Sequence, residues 1–234
     1  FFLMPVVRGI HLRAALRETT RSLGEVIDVA IQVADALDYS HARGVVHRDI
    51  KPENIMVADE EGGLRVRVMD FGLAKASSEN RLTKTGTLVG TIAYFSPEQV
   101  MGTEIDGRAD IYSLGVVLYE CLAGEPPFSG EAQSVLYRIA HENPRPPRSA
   151  GVEIGEELDA IVMRCLAKDR TRRFQKASEL AEALRHYQSR LQDSDRRKSL
   201  VLSTAMTAQF QRAPLMPFVG REKEVGELQR RLNL

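Results

Sequence analysis

Apolar and polar positions recur along the chain with two periods, and these predict where helices and strands lie. Residues 1–7 are apolar and strand-like, with Pro5 suiting a sheet edge or its exit. A short helix fits residues 11–18. Ser22 followed by Glu25 forms a capping box, the start signal of a second helix. Val26, Ala30, Val33 and Leu37 then recur at helical spacing through residue 43, and Gly44 closes the helix. Val45-Val46 and Ile55–Val57 predict short strands on either side of a polar loop. Leu64, Val66 and Val68 alternate with Arg65 and Arg67, the period of a strand with one wet face. With Asp59–Gly63 as the turn, the last two strands form a hairpin.

From Asp70 to Glu98 periodicity is lost, and a loop this long inside a compact domain is usually functional. Ser96-Pro97-Glu98-Gln99 reads as N-cap, N1 proline and N3 glutamine, a helix start. Residues 109–123 are apolar on nearly every side, which predicts a helix at the buried centre of the domain, ended by Gly124. Further helices fit 131–141, 156–167 and 176–191, the last with Leu180, Leu184, Tyr187 and Leu191 on one face. Residues 193–217 read as a linker, and 218–234 begin another helix. The fold class is therefore mainly α (α+β), a set of helices with short β-hairpins and no internal repeat.

The length of 234 residues allows one large domain, or one domain and a fragment. Apolar residues at 43% and charged residues at 27% exclude a disordered, collagenous or disulfide-scaffold chain. Lys+Arg and Asp+Glu both total 32, so the zero net charge argues against a general nucleic-acid binder, and no nucleic-acid partner is expected in this region. No apolar run reaches the 18 residues of a membrane span, so no membrane segment is expected either. Cys121 and Cys165 are too few for a four-thiolate zinc site. Both fall in apolar helical stretches, so they are expected as buried free thiols in a reducing compartment. The chain opens on Phe1 inside an apparent strand, which reads as a cut.

The chemistry-bearing residues cluster in three places. His47-Arg48-Asp49-Ile50-Lys51-Pro52-Glu53-Asn54 lies between two predicted strands, Asp70-Phe71-Gly72 follows the hairpin, and Ser96-Pro97-Glu98 closes the long aperiodic loop. Asp49 is a carboxylate able to accept or orient the proton of an attacking hydroxyl. Lys51, two residues on in an extended loop, faces the same side. Asn54 and Asp70 offer hard oxygen ligands from two segments, a donor set that suits Mg2+ held partly by nucleotide phosphates. In order and spacing, the three clusters resemble the catalytic loop, the metal-binding triplet and the end of the activation segment of protein kinases. Over residues 1–190 the chain resembles a eukaryotic-type Ser/Thr protein kinase of the bacterial form, and specifically its helical C-lobe.

That resemblance implies ATP and Mg2+ as cofactors, protein substrates with Ser/Thr acceptors and a cytoplasmic location. It implies Asp49, Lys51 and Asn54 as catalytic and Asn54 and Asp70 as metal ligands. Met4, Pro5, Val7 and Met56, together with Asp70, line the nucleotide site: Met4 as gatekeeper, Val7 facing adenine, Met56 as lower wall. Pro5 stands where the family usually has an acidic residue, a position used through its carbonyl. Arg48 resembles the arginine that grips an activation-segment phosphate, with Thr83, Thr85 and Thr87 as acceptors. His47, Phe71, Gly72, Thr91, Glu98, Asp110 and Arg173 are implied as structural. Among them, Asp110 holds the catalytic-loop backbone, Glu98 pairs with Arg173, and His47 stacks with Phe71.

The chain has no glycine-rich G-x-G-x-x-G loop and no strand lysine of the V-A-I-K type, parts that align the phosphates in this family. The expectation is therefore a kinase domain over 1–192 with its N-lobe missing, a linker over 193–217, and, from Phe218-Val219-Gly220-Arg221-Glu222, the start of an AAA-type P-loop ATPase domain over 218–234. Two alternatives stand beside the protein kinase. One is a small-molecule phosphotransferase of related fold, against which Lys51-Pro52-Glu53 and the Thr91–Glu98 segment argue. The other is a pseudokinase-like binding module, against which the intact Asp49, Lys51, Asn54 and Asp70 argue.

Overall fold

A computed structural model describes residues 8–18, 21–61, 63–71 and 89–193, with backbone only at 89–90. The chain divides into two units, Phe1–Arg190 and Leu191–Leu234, and the fold described is that of the first. In order its elements are β1 (Ile10–His11), α1 (Leu12–Glu18), α2 (Leu23–His41), β2 (Ile55–Glu60), β3 (Gly63–Val68), α3 (Val89–Ile92), α4 (Pro97–Met101), α5 (Gly107–Ala123), α6 (Ala132–His141), α7 (Glu156–Cys165) and α8 (177–193). Short 3-10 turns at Pro52–Asn54, Pro147–Ala150 and Arg170–Arg172 join some of them.

The three strands form one antiparallel sheet in the order β1-β2-β3. Glu60 pairs with Gly63, so the hairpin connection is two residues, tighter than the five-residue turn its polar sequence suggests. β3 is an edge strand, and its outer backbone is covered by one side chain of α2. Gln32 donates to Leu64 O (2.8 Å) and accepts from Val66 N (3.0 Å), which satisfies peptide groups that an edge otherwise exposes.

The central helix is α5. It carries Ile111, Tyr112, Leu114, Val116, Val117 and Leu118, all buried, as the all-round apolar pattern requires. α2 and α7 pack on it. Gly115 sets the α5–α7 separation: a Cβ there would lie 2.5 Å from Cβ of Cys165. Ile92, Phe128, Val135 and Ile139 build a second cluster beneath α6.

Both capping boxes are present, Ser22 with Glu25 and Ser96 with Gln99. Four expectations need correction. Val45-Val46 is not a strand: the Val45 N–H turns back to Ser40 O (3.0 Å) to finish α2, and Val45 is exposed. α2 itself ends at His41, two residues early, with Gly44 at φ 73° in the turn that follows. Cys165 is buried, but Cys121 is only half-buried. Finally, the segment 70–98 contains α3, too short to show a period. Residues 1–7 and 194–234, and with them the predicted opening strand, the linker and the last helix, lie outside the described residues.

Candidate active site

The polar loop His47–Asn54 is held in place by one carboxylate. Asp110 stands in the first turn of α5, fully buried, and a buried carboxylate needs donors. It accepts from the backbone N–H of His47 (2.8 Å) and of Arg48 (2.7 Å), and its Oδ2 lies 2.8 Å from Nε2 of His41 at the end of α2. Gly107 makes room for that imidazole, since a Cβ there would sit 2.7 Å from its Nδ1. His47 works in both directions. Its Nε2 donates to Met69 O (2.7 Å), and its Nδ1 accepts from the Asp49 N–H (3.3 Å). Its ring also meets Phe71 edge-on, with centroids 4.7 Å apart. His47 is buried, whereas Phe71 stays exposed at 36%.

This frame fixes the chemistry-bearing side chains. Lys51 Nζ lies 2.9 and 3.1 Å from the two Asp49 carboxylate oxygens. Asn54 Nδ2 donates to Asp49 O (2.7 Å) and to Asp49 Oδ2 (3.1 Å). Because the Asn54 amide nitrogen faces Asp49, its Oδ1 faces away and is the atom it can offer a cation. The Met69 N–H donates to Asn54 O (2.8 Å), which ties the residue before Asp70 to the end of the loop. Asp70 is exposed and has φ 62°; Arg48 has φ 67°. Among the described residues these two alone combine a side chain with a left-handed φ. Such backbone costs about 1–3 kcal/mol per residue and collects at functional sites. The Asn54 amide oxygen and the Asp70 carboxylate are hard oxygen donors of the kind that suits Mg2+ also held by phosphate oxygens. They do not make a closed metal cage, and the described residues contain no cluster of three His, Cys, Asp or Glu side chains that could hold an ion unaided.

The supporting pair is equally definite. Arg173, with its side chain fully buried, forms a two-pronged pair with Glu98 at 2.7 and 2.9 Å. Its remaining donors reach Ala167 O (2.8 Å), Arg108 O (3.0 Å) and Lys168 O (3.1 Å). Met56 is buried in β2, paired with Arg67 and His11. Thr91 is half-buried in α3. Met4, Pro5, Val7, Gly72, Thr83, Thr85 and Thr87 lie outside the described residues.

Three parts of the site escape sequence reading. His41 reaches Asp110 across 69 positions. Gln99, legible as a cap, also donates to Arg48 O (2.8 Å). Arg13 of α1 bonds Glu53 (2.8 Å), Glu120 and Tyr94, while Tyr94 donates to Glu120 (2.5 Å). Burial, and then the bond to Glu120, push the Tyr94 phenol well above its ordinary range. None of these pairs has a local spacing that could have announced it.

A family model described as the protein kinase domain matches residues 1–187. The serine/threonine-protein kinase PknB of Mycobacterium tuberculosis is 42% identical over 184 residues, covering 77% of this chain and 29% of that protein. A probable serine/threonine-protein kinase of Clostridium acetobutylicum is 36% identical over 207 residues, covering 88% of this chain and 31% of its own. The chain thus spans about three tenths of the length of these relatives. Among solved structures, the Mycobacterium tuberculosis PknI kinase domain superposes with a TM-score of 0.57 at 28% identity, covering 77% of this chain and 63% of that one.

Proposed function

The chain belongs to the protein kinase domain family, and from this premise we propose that it carries the catalytic loop and metal-binding aspartate of an ATP- and Mg2+-dependent protein serine/threonine kinase. The observation that carries the reading is the convergence of Lys51 and Asn54 on Asp49, each bonded to it within 3.1 Å, with the residue before Asp70 tied to Asn54 through the Met69 N–H. Phosphoryl transfer asks a protein for position and charge more than for covalent chemistry. Asp49 orients the acceptor hydroxyl and takes its proton. Lys51, which balances Asp49 in this arrangement, supplies positive charge beside the transferred group. Asn54 and Asp70 would hold Mg2+, which when bound would neutralise charge on the phosphates of ATP. Met4, Pro5, Val7 and Met56 line the adenine site.

The substrates are Ser/Thr hydroxyls of proteins, and the site is that of the family's helical C-terminal lobe. Thr83, Thr85 or Thr87 accepts a phosphate, and Arg48 pairs with that phosphothreonine, which raises activity by ordering the segment. Thr91 supports Asp49 and Lys51. Residues 193–217 are a linker and 218–234 open an ATPase-like domain. The location is cytoplasmic; no described helix is long and apolar enough to cross a membrane. The test is Mg2+-dependent nucleotide binding by the full-length protein. Asp70→Asn, which keeps a residue type tolerant of φ 62°, is expected to remove the Mg2+ dependence while leaving the fold intact. Unchanged Mg2+-dependent binding in that variant contradicts the reading.

A further inference from the structure

Asp49 is flanked by peptide groups that side chains hold one by one. The N–H of Arg48 is taken by Asp110 (2.7 Å), the N–H of Asp49 by His47 Nδ1 (3.3 Å), and the C=O of Asp49 by Asn54 (2.7 Å). The remaining group, the C=O of Arg48, is taken by Nε2 of Gln99 (2.8 Å). Arg48 stands at φ 67°. A side-chain-bearing residue stays in that region only where its surroundings over-determine it. Here Asp110 grips one side of the strained residue and Gln99 the other.

From this arrangement, and resting on the kinase reading above, we infer that Gln99 is a positioning residue for Asp49. Its amide is divided between two tasks. Oε1 accepts from the Ser96 N–H (2.8 Å), which completes the capping box of α4, and Nε2 reaches the loop. A capping box needs only the oxygen, and glutamate serves as well as glutamine. The chain contains that control: at the start of α2 the same box is closed by Glu25, where Oε2 accepts from the Ser22 N–H at 2.8 Å. At α4 a donor, Nε2, is what the amide adds. Through it, the helix that follows the 70–96 segment is bonded directly to the peptide that precedes Asp49.

Gln99→Glu in the full-length protein separates the two tasks, because it keeps the cap oxygen and removes the donor. The expected result is a melting temperature lowered less than by Gln99→Met, an unchanged KM for ATP, faster amide exchange in residues 47–51, and a 10- to 100-fold fall in kcat toward a Ser/Thr peptide, the size of loss that a misplaced reacting group produces. Gln99→Met, which removes both bonds, gives the same rise in exchange with a lower melting temperature. Ser96→Ala weakens the cap alone, so it lowers the melting temperature and leaves kcat unchanged. The inference is overturned if Gln99→Glu keeps wild-type exchange in residues 47–51, if it keeps wild-type kcat, or if Ser96→Ala matches its loss of kcat. Should the wild-type protein transfer no phosphate, the kinase reading falls by itself, and the exchange comparison still decides the positioning role.

Discussion

At Arg48 and Asp70 the backbone adopts a left-handed conformation that most side chains avoid, and both residues border the groups assigned to chemistry. Their strain gives a direct prediction. Arg48→Gly, unlike most changes to glycine, is expected to leave the urea unfolding free energy within about 1 kcal/mol of wild type, because glycine adopts φ 67° without steric cost. A larger loss contradicts the strain argument. Asp110→Ala is expected to do the opposite. It strands two backbone N–H groups and the His41 ring in a buried place, and each buried unpaired donor costs about 1–3 kcal/mol. That Asp49, Lys51 and Asn54 come together was legible because they fall within one six-residue stretch of a polar loop. The role of Gln99 was legible only in half. Its cap is a local pattern within four residues, whereas its bond to Arg48 spans 51 positions and depends on how α4 is set against the loop.

Among the elements, α5 dictates most of what surrounds it. It was readable because burial on every side leaves no polar stripe. The two capped helices were readable because Ser, Glu and Gln at fixed offsets satisfy exposed N–H groups. The Val45-Val46 strand was misread because two β-branched residues look the same whether a ladder partner exists or not. β1, only two residues long, carries no period at all. Packing at this scale predicts that Gly115→Ala costs about 1–3 kcal/mol, the price of overpacking a filled interface, since its methyl meets Cys165. Burial pushes the Cys165 thiol up to about 12. A thiol reagent at pH 8 is thus expected to leave Cys165 unlabelled until the protein unfolds; prompt labelling mapped to Cys165 in native protein contradicts its place between α5 and α7. Glu98→Ala leaves the Arg173 guanidinium buried without its counter-charge, and a loss of about 3–5 kcal/mol is expected by urea unfolding. Replacing both by apolar residues is not expected to restore stability, because Arg173 also satisfies three backbone carbonyls that the exchange would orphan. Full recovery in the double variant would show that those carbonyl bonds carry no weight.

At the scale of the molecule, the sequence pattern announced a mainly helical domain with short β-hairpins, and the described residues are mainly helical with one three-stranded antiparallel sheet. What it could not announce is the set of long-range bonds that make a loop into a site. Asp110 to His47 and Arg48, Gln99 to Arg48, and Arg13 to Glu53 and Glu120 join elements far apart in the chain. These bonds converge on the short loop that holds Asp49 from its own backbone outward, and the central claim is that this loop moves phosphate to a hydroxyl. The most direct measurement is transfer of labelled γ-phosphate from ATP to a protein substrate by the full-length protein, comparing wild type with Asp49→Asn and identifying the labelled amino acid. The expected result is phosphoserine or phosphothreonine with wild type and a rate lower by about two to four orders of magnitude with Asp49→Asn, the range that loss of a general base produces. Equal rates for the two proteins, or label on neither serine nor threonine, would contradict it.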